Sequence, residues 1–369
     1  MSFVILGIGT AVPVATISQE EALGLARVLC CRTPEQNTWI PLMYTQTEID
    51  NRHFTLPRQV IDDVLAGTRD SGSIFLPTGR PDDAGPTTGQ RMRVYAEDSG
   101  PLALRAARGA LEQARLRPGD VTQLVTVSCT GFMAPGVDLA LIRGLGLPLT
   151  VQRTHVGFMG CHGAINGLRV AAAFTGADAN AVVLLCAVEL TCLHYHYGWD
   201  PQRIVANALF ADGAAAVVGV GAGSSVPDTA WRVRATGSCL VPDTADAMRW
   251  TIGDNGFEMT LSKRVPQLIA NNLRPWLESW LREHDLGLED VASWAIHPGG
   301  PRILGAVEES LGLKVEQTAD ARAVFAAYGN MSSPTVLFIV DRLRRRQAPR
   351  PCLALGFGPG LVAEAALLD

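Results

Sequence analysis

A chain of 369 residues with 47% hydrophobic and 18% charged residues carries enough apolar material for one large core or two fused half-domains, far from the signature of disorder. Its formal net charge of −5 and pI near 5.8 show no basic excess of the kind that marks nucleic-acid binding. No stretch approaches ~18 uninterrupted apolar residues, so no membrane-spanning helix is expected.

In chain order, the N-terminal MSFVILGIGTAVP has no basic leader and no small-residue cleavage pattern, so it reads as a strand over Phe3 to Ile8 rather than a signal peptide. Asp70 to Thr88, rich in Gly, Pro, Asp and Ser, reads as a surface loop. Ser99 to Leu116 reads as a helix capped by Ser99, with Pro101 in its first turn, and Pro118-Gly119-Asp120 breaks the chain. Strands are expected over Leu124 to Ser128 and Ala181 to Cys186. The Gly/Ser/Pro cluster GAGSSVPDTA at 221–230 divides the chain into halves, 1–222 and 223–369. The basic run Arg342 to Arg346 reads as a solvated helix face. This alternation of strands and helices predicts an α/β fold.

The eight cysteines form no pair of CxxC motifs, so no zinc site is expected, and a reduced, cytoplasmic protein fits best. Several sit in apolar strand-like runs, such as Cys186 in AVVLLCAV, where a free thiol packs as a small hydrophobe. Cys161 differs. In VGFMGCHGAINGLRV it sits on a tight turn between a strand and a helix whose buried face is Ile165, Leu168 and Ala172. A sulfur at a helix N-terminus faces unpaired N–H groups that favour the thiolate, the nucleophile for transthioesterification. The neighbouring His162 points about 100° away on a helix, so packing is its expected role. His155 has no assigned role, and His194 with His196 makes only a weak metal pair, lacking a third ligand nearby.

Two further turns present polar groups. WAIHPGGPRIL delivers His297 from an apolar strand to a Pro-Gly-Gly-Pro turn, and AYGNMSSPTVLFIV places Asn330 after Gly329. Cys, His and Asn together supply a nucleophile, a partner for its thiolate, and donors for an enolate oxyanion. Cysteine proteases use the same residue types, so chemistry alone leaves both readings open.

The GC turn at Cys161, ALFADGAAA at Ala208 to Ala216, HPGGP at His297, YGNMSS around Asn330 and GFGPG at Gly356 to Gly360 resemble, in that order, the chalcone synthase-like type III polyketide synthases. The resemblance covers nearly the whole chain. It implies a thiolase-like five-layered αβαβα sandwich of two related halves, acting as a homodimer. It also implies Cys161 as nucleophile, His297 and Asn330 as activators of malonyl-CoA, and Phe210 as a gatekeeper. Met259 stands where plant members have a second gatekeeper Phe. Cys129, Thr191, His194, Ala134, Gly358 and Pro359 are the implied cavity residues, and Arg52 and Arg302 the CoA contacts. Cys129 replaces a plant Thr, and Ala134 replaces a Met that reaches the partner's cavity, which implies either a larger pocket or a contact handed to Met133. These departures place the chain among bacterial-type members.

The implied activity loads an acyl-CoA starter on Cys161, extends it by decarboxylative condensation with malonyl-CoA, and cyclises the product. Neither a bound cofactor nor a carrier protein is expected. Malonyl and fatty-acyl starters both stay open. The alternatives are a ketoacyl-ACP synthase III-like single condensation, a Cys–His–Asn thioester hydrolase, and a non-catalytic thiolase-like subunit.

Overall fold

The computed structural model describes residues 3–223 and 230–369. The first half runs β1 (Phe3–Ala11), β2 (Ala15–Ser18), α1 (Gln19–Cys30), α2 (Pro34–Thr45), β3 (Asn51–Phe54), α3 (Arg58–Ala66) and α4 (Thr88–Ala114). It continues through β4 (Gln123–Ser128), α5 (Val137–Leu145), β5 (Gln152–Gly157), α6 (Gly163–Ala177), β6 (Val182–Leu190), α7 (Pro201–Leu209) and β7 (Asp212–Gly221). The second half has β8 (Trp231–Leu240), β9 (Met248–Gly253), β10 (Gly256–Leu261), α8 (Val265–Arg282) and β11 (Ser293–Ile296). It closes with α9 (Pro301–Leu311), α10 (Ala319–Tyr328), α11 (Thr335–Arg345), β12 (Cys352–Gly358) and β13 (Val362–Leu368).

The strands of the two halves repeat one pattern. In the first, β1 and β7 are antiparallel, β7 and β6 antiparallel, and β6, β4 and β5 parallel. In the second, β8 and β13 are antiparallel, β13 and β12 antiparallel, and β12 and β11 parallel. A seam of three residue pairs, Phe3–Val233, Val4–Arg232 and Ile5–Trp231, joins them through β1 and β8. Helix α6 packs on β4 and β6 of one half and on β12 and β13 of the other, while α11 packs on β1, β7, β11 and β12. With α4 outside the first half-sheet and α8 outside the second, the five layers of a thiolase-like sandwich are complete. One hydrophobic core reaches through the middle layer, with Ile165 and Leu168 of α6 packed among Leu337, Ala354 and Ala365. Ile165 and Leu168 are buried as expected from their spacing, and Ala172 lies partly buried beside them.

Helix α4 corrects the expected helix start. Its N-cap is Thr87, closed by a capping box with Gln90, and Ser99 and Pro101 lie inside it. The early turns escape a hydrophobic-period reading because their buried face is polar. Arg91 donates to the Pro86 carbonyl at 2.8 Å and the Tyr195 carbonyl at 3.1 Å, and the Tyr95 hydroxyl to Ser128 at 2.7 Å. Residues 70–87 form a loop as expected, with Phe75 and Leu76 buried. Arg342, Arg345 and Arg346 end α11 as an exposed face paired with Asp320 and Asp341. Within the cluster read as the boundary between halves, 224–229 lie outside the described residues. Among the described residues, no helix is long and apolar enough to cross a membrane.

Candidate active site

Cys161 sits in a single 3₁₀ turn, Gly160–His162, that leads straight into α6. Gly160 has φ +77°, and a β-carbon there would collide with the ring of Pro359. The turn therefore needs glycine twice over, for its left-handed backbone and for the close approach of the 358–360 loop. Burial pushes the Cys161 thiol up to about 11, against hydrogen bonds from Ser332, Asn330 and its own backbone N–H that favour the thiolate.

Asn330 is held by its backbone: its N–H donates to Leu209 (2.9 Å), and its carbonyl accepts from Ala211 N–H (2.9 Å). Its Oδ1 accepts from Ser332 N–H at 2.8 Å, which aims the amide's NH₂ end away from that loop and toward the sulfur. His297 follows β11, and its N–H donates to Leu355 at 2.8 Å. It is buried, and burial, with the nearby His162, lowers it to about 3, so the ring is neutral at pH 7. His162 packs as expected, buried against Gly358 with Nδ1 2.7 Å from Asn166 Oδ1.

A cavity of about 30 Å³ in front of the sulfur is lined by Cys129, Thr191, Phe210, Trp250, Met259, Ser332 and Pro359, among others. Thr191, Phe210, Trp250 and Met259 also line a second cavity of about 110 Å³ that includes His194 and Arg203, so these four side chains form the partition between the two. Trp250 and Met259 come from the β9–β10 hairpin. It is pinned by the indole N–H of Trp250 on the Cys129 carbonyl (2.7 Å) and by His194. His194 Nε2 donates to the Thr130 carbonyl at 2.7 Å, and Nδ1 accepts from Phe257 N–H at 2.9 Å. With both nitrogens so engaged and burial lowering it to about 3, His194 is a strap rather than a metal ligand. Among the described residues no group of His, Cys, Asp and Glu is placed to hold a metal.

The remaining expected residues fall outside this cavity. Arg52 is fully buried and donates to the carbonyls of Asn207 (2.6 Å) and Phe210 (2.9 Å); it corrects the expected CoA contact, since a guanidinium without accessible surface cannot meet a phosphate in solvent. Arg302 is exposed in the first turn of α9, and Ala134 lies on an exposed loop beside Phe132 and Met133. Gly358 backs His162.

Glu189 was missed by sequence reasoning. Its buried carboxylate accepts from Cys129 N–H (2.9 Å) and S–H (3.2 Å), and from the hydroxyls of Ser128 (3.3 Å), Thr130 (2.7 Å) and Ser333 (2.5 Å). Cys129 is therefore a buried thiol on a carboxylate, raised well above the ordinary range by burial and by that charge. A carboxylate inside the apolar run VVLLCAVEL was the available signal, since buried charge persists only where it is hydrogen-bonded.

Comparison with known proteins agrees with this geometry. Residues 2–224 match the N-terminal domain, and 232–369 the C-terminal domain, of the family described as chalcone and stilbene synthases. The "Alpha-pyrone synthesis polyketide synthase-like Pks18" of Mycobacterium tuberculosis is 31% identical, over 99% of this chain and 91% of that protein. The "1,3,6,8-tetrahydroxynaphthalene synthase" of Streptomyces peucetius is 32% identical, over 99% and 92%. The crystal structure of PKS-I from the brown alga Ectocarpus siliculosus superposes with a TM-score of 0.89 at 35% identity, covering 100% of this chain and 98% of that one.

Proposed function

The chain belongs to the chalcone and stilbene synthase family and is a type III polyketide synthase, and from that premise we propose which residues carry each step. Cys161 Sγ attacks the starter thioester, CoA leaves as the thiol, and the acyl group stays on sulfur as a thioester of similar energy. Malonyl-CoA then loses CO2, and the electron pair of the broken C–C bond becomes an enolate on the thioester oxygen. The neutral His297 N–H and the Asn330 amide are the donors for that oxyanion. The enolate carbon attacks the Cys161 thioester, whose C–S bond breaks and releases the Cys161 thiolate; the lengthened chain, now on CoA, transfers back to Cys161 as CoA leaves, and the cycle repeats before ring closure. The observation that carries this reading is the convergence of Asn330 and Ser332 on a sulfur that opens into a small, partitioned cavity.

The starter belongs to the same proposal. A resting volume of about 30 Å³ behind Phe210, Trp250 and Met259 favours a short acyl or malonyl starter over a fatty one. Division into halves 1–222 and 223–369, a cytoplasmic setting and the absence of a bound cofactor are part of it too. The homodimer is supported by β5, the outer strand of the first half-sheet, none of whose residues is fully buried, beside exposed Phe132, Met133, Leu149 and Met159. An unpaired strand edge next to apolar side chains is a ready docking surface.

Mass spectrometry of products from malonyl-CoA, alone and with short and fatty acyl-CoA starters, tests the reading. Wild type is expected to release CO2 and a cyclised polyketide, Cys161→Ala to make none, and Trp250→Ala to accept longer starters. Acyl hydrolysis without consumption of malonyl-CoA would favour the hydrolase instead.

A further inference from the structure

Arg52 is an unusual cation. It lies on β3, far along the chain from the site, and has no accessible surface. No carboxylate lies within ion-pair distance among the described residues; its guanidinium sits over the Phe54 ring at 5.5 Å. A buried charge of this kind is costly. What it secures is geometry: Nη1 alone donates to two carbonyls, while Nε and Nη2 are buried with no hydrogen-bond partner among the described residues.

Both of its bonds fall on the end of α7. The last carbonyls of a helix have no partner within it. Here Asn207 O loses the N–H that would continue the helix, because Ala211 N–H turns away to Asn330 O. Arg52 Nη1 fills that position and takes the Phe210 carbonyl as well. Leu209 O in turn accepts from Asn330 N–H, so the backbones of Phe210 and Asn330 form one short bridge. The stem of Arg52 also supports the residue before Asn330. Gly329 has φ +70°, and a β-carbon there would lie 2.9 Å from Arg52 Cγ. A single buried side chain thus contacts both the helix end that carries the cavity partition and the turn that presents the amide to the sulfur.

We propose that Arg52 is a positioning residue of the condensation: it sets Phe210 and Asn330 in one register, so that the gate and the oxyanion donor stay aligned through successive extensions. This rests on the roles given to those two residues above. Displacing a reacting group by about 1 Å costs on the order of 100-fold in rate.

Arg52→Met and Arg52→Lys are to be compared with wild type for kcat and KM toward malonyl-CoA, for polyketide formed per CO2 released, for product spectrum, and for melting temperature. Arg52→Met is expected to lower kcat on the order of 10–100-fold with KM changed less than about threefold. Less polyketide should form per CO2, with more shortened products, and Arg52→Lys should restore part of the loss. A folded Arg52→Met enzyme with wild-type kcat and product spectrum overturns the proposal. So does a loss that tracks only the unfolded fraction. Should Arg52→Met fail to fold, Arg52→Lys combined with Phe210→Ala decides. The shift in products caused by Lys should vanish in the Phe210→Ala background, and an equal shift in both backgrounds refutes action through the gate. Failure of wild type to make any polyketide would instead sink the functional reading itself.

Discussion

Replacing Glu189 by alanine removes the acceptor on which five donors converge. Three are hydroxyls, of Ser128, Thr130 and Ser333, that can rotate toward other partners; the Cys129 S–H is weak, and the Cys129 N–H is fixed by the backbone. Leaving the fixed N–H unpaired in the core costs about 1–3 kcal/mol, and each hydroxyl that must settle for a poorer partner adds about 0.5–1 kcal/mol. The alanine variant should therefore lose about 3–5 kcal/mol. Glutamine keeps one oxygen, which can hold the N–H and Thr130 while Ser333 turns to accept from the new NH₂, so its cost should be about 1–2 kcal/mol. Urea unfolding with linear extrapolation reads both differences. An alanine variant within about 1 kcal/mol of wild type, or a glutamine variant as damaged as alanine, would refute this account of the network. The pH dependence supplies an independent check. Burial raises the folded-state pKa of Glu189 above an unfolded value near 4.3. The folded protein then holds the proton more tightly than the unfolded chain, so stability from this group is greatest below about 4.3 and falls as pH rises through the folded value. The advantage of wild type over Glu189→Gln should shrink as pH is raised from about 4.

Gly160→Ala should place a methyl against Pro359 in a backbone region that costs about 1–3 kcal/mol for a non-glycine residue. Loading of a starter on Cys161, followed by intact-protein mass spectrometry, should slow by tenfold or more, and acylation within about twofold of wild type would speak against the tight turn as a requirement. His194, lowered to about 3 when folded against about 6.5 unfolded, should keep its contribution above pH 6.5 and lose it as pH falls toward 3, up to about 4–5 kcal/mol. Chemical denaturation of wild type and His194→Gln across that range should show a flatter profile for the variant. Parallel profiles would mean that the strap does not govern acid stability.

Motifs that depend on backbone turns were legible in the sequence. Gly160 before Cys161, the Pro-Gly-Gly-Pro after His297 and Gly329 before Asn330 each declare where a strand or helix ends, and the structure ends its elements there. Buried polar residues were not legible. Arg91 and Tyr95 hid the first three turns of α4, because their partners, the Leu193 and Tyr195 carbonyls and Ser128, are remote in sequence. Arg52 was misread for the same reason. An arginine in IDNRHF looks solvent-facing until the end of α7, more than 150 residues on, closes over it. Trp250 passed unnoticed because nothing local distinguishes a hairpin tryptophan over solvent from one across a cavity.

The placement of α6 between the half-sheets has a consequence for synthesis on the ribosome. Cys161 and its helix emerge when less than half of the chain has been made, but β12 and β13, which cover the helix from the other side, are its last strands. Until residue 368 is clear of the exit tunnel, Ile165 and Leu168 present an apolar face with nothing above it, the condition in which nascent chains aggregate or recruit chaperones. A nonsense mutation that removes only the last two strands would thus leave every proposed catalytic residue encoded and yield no covered nucleophile.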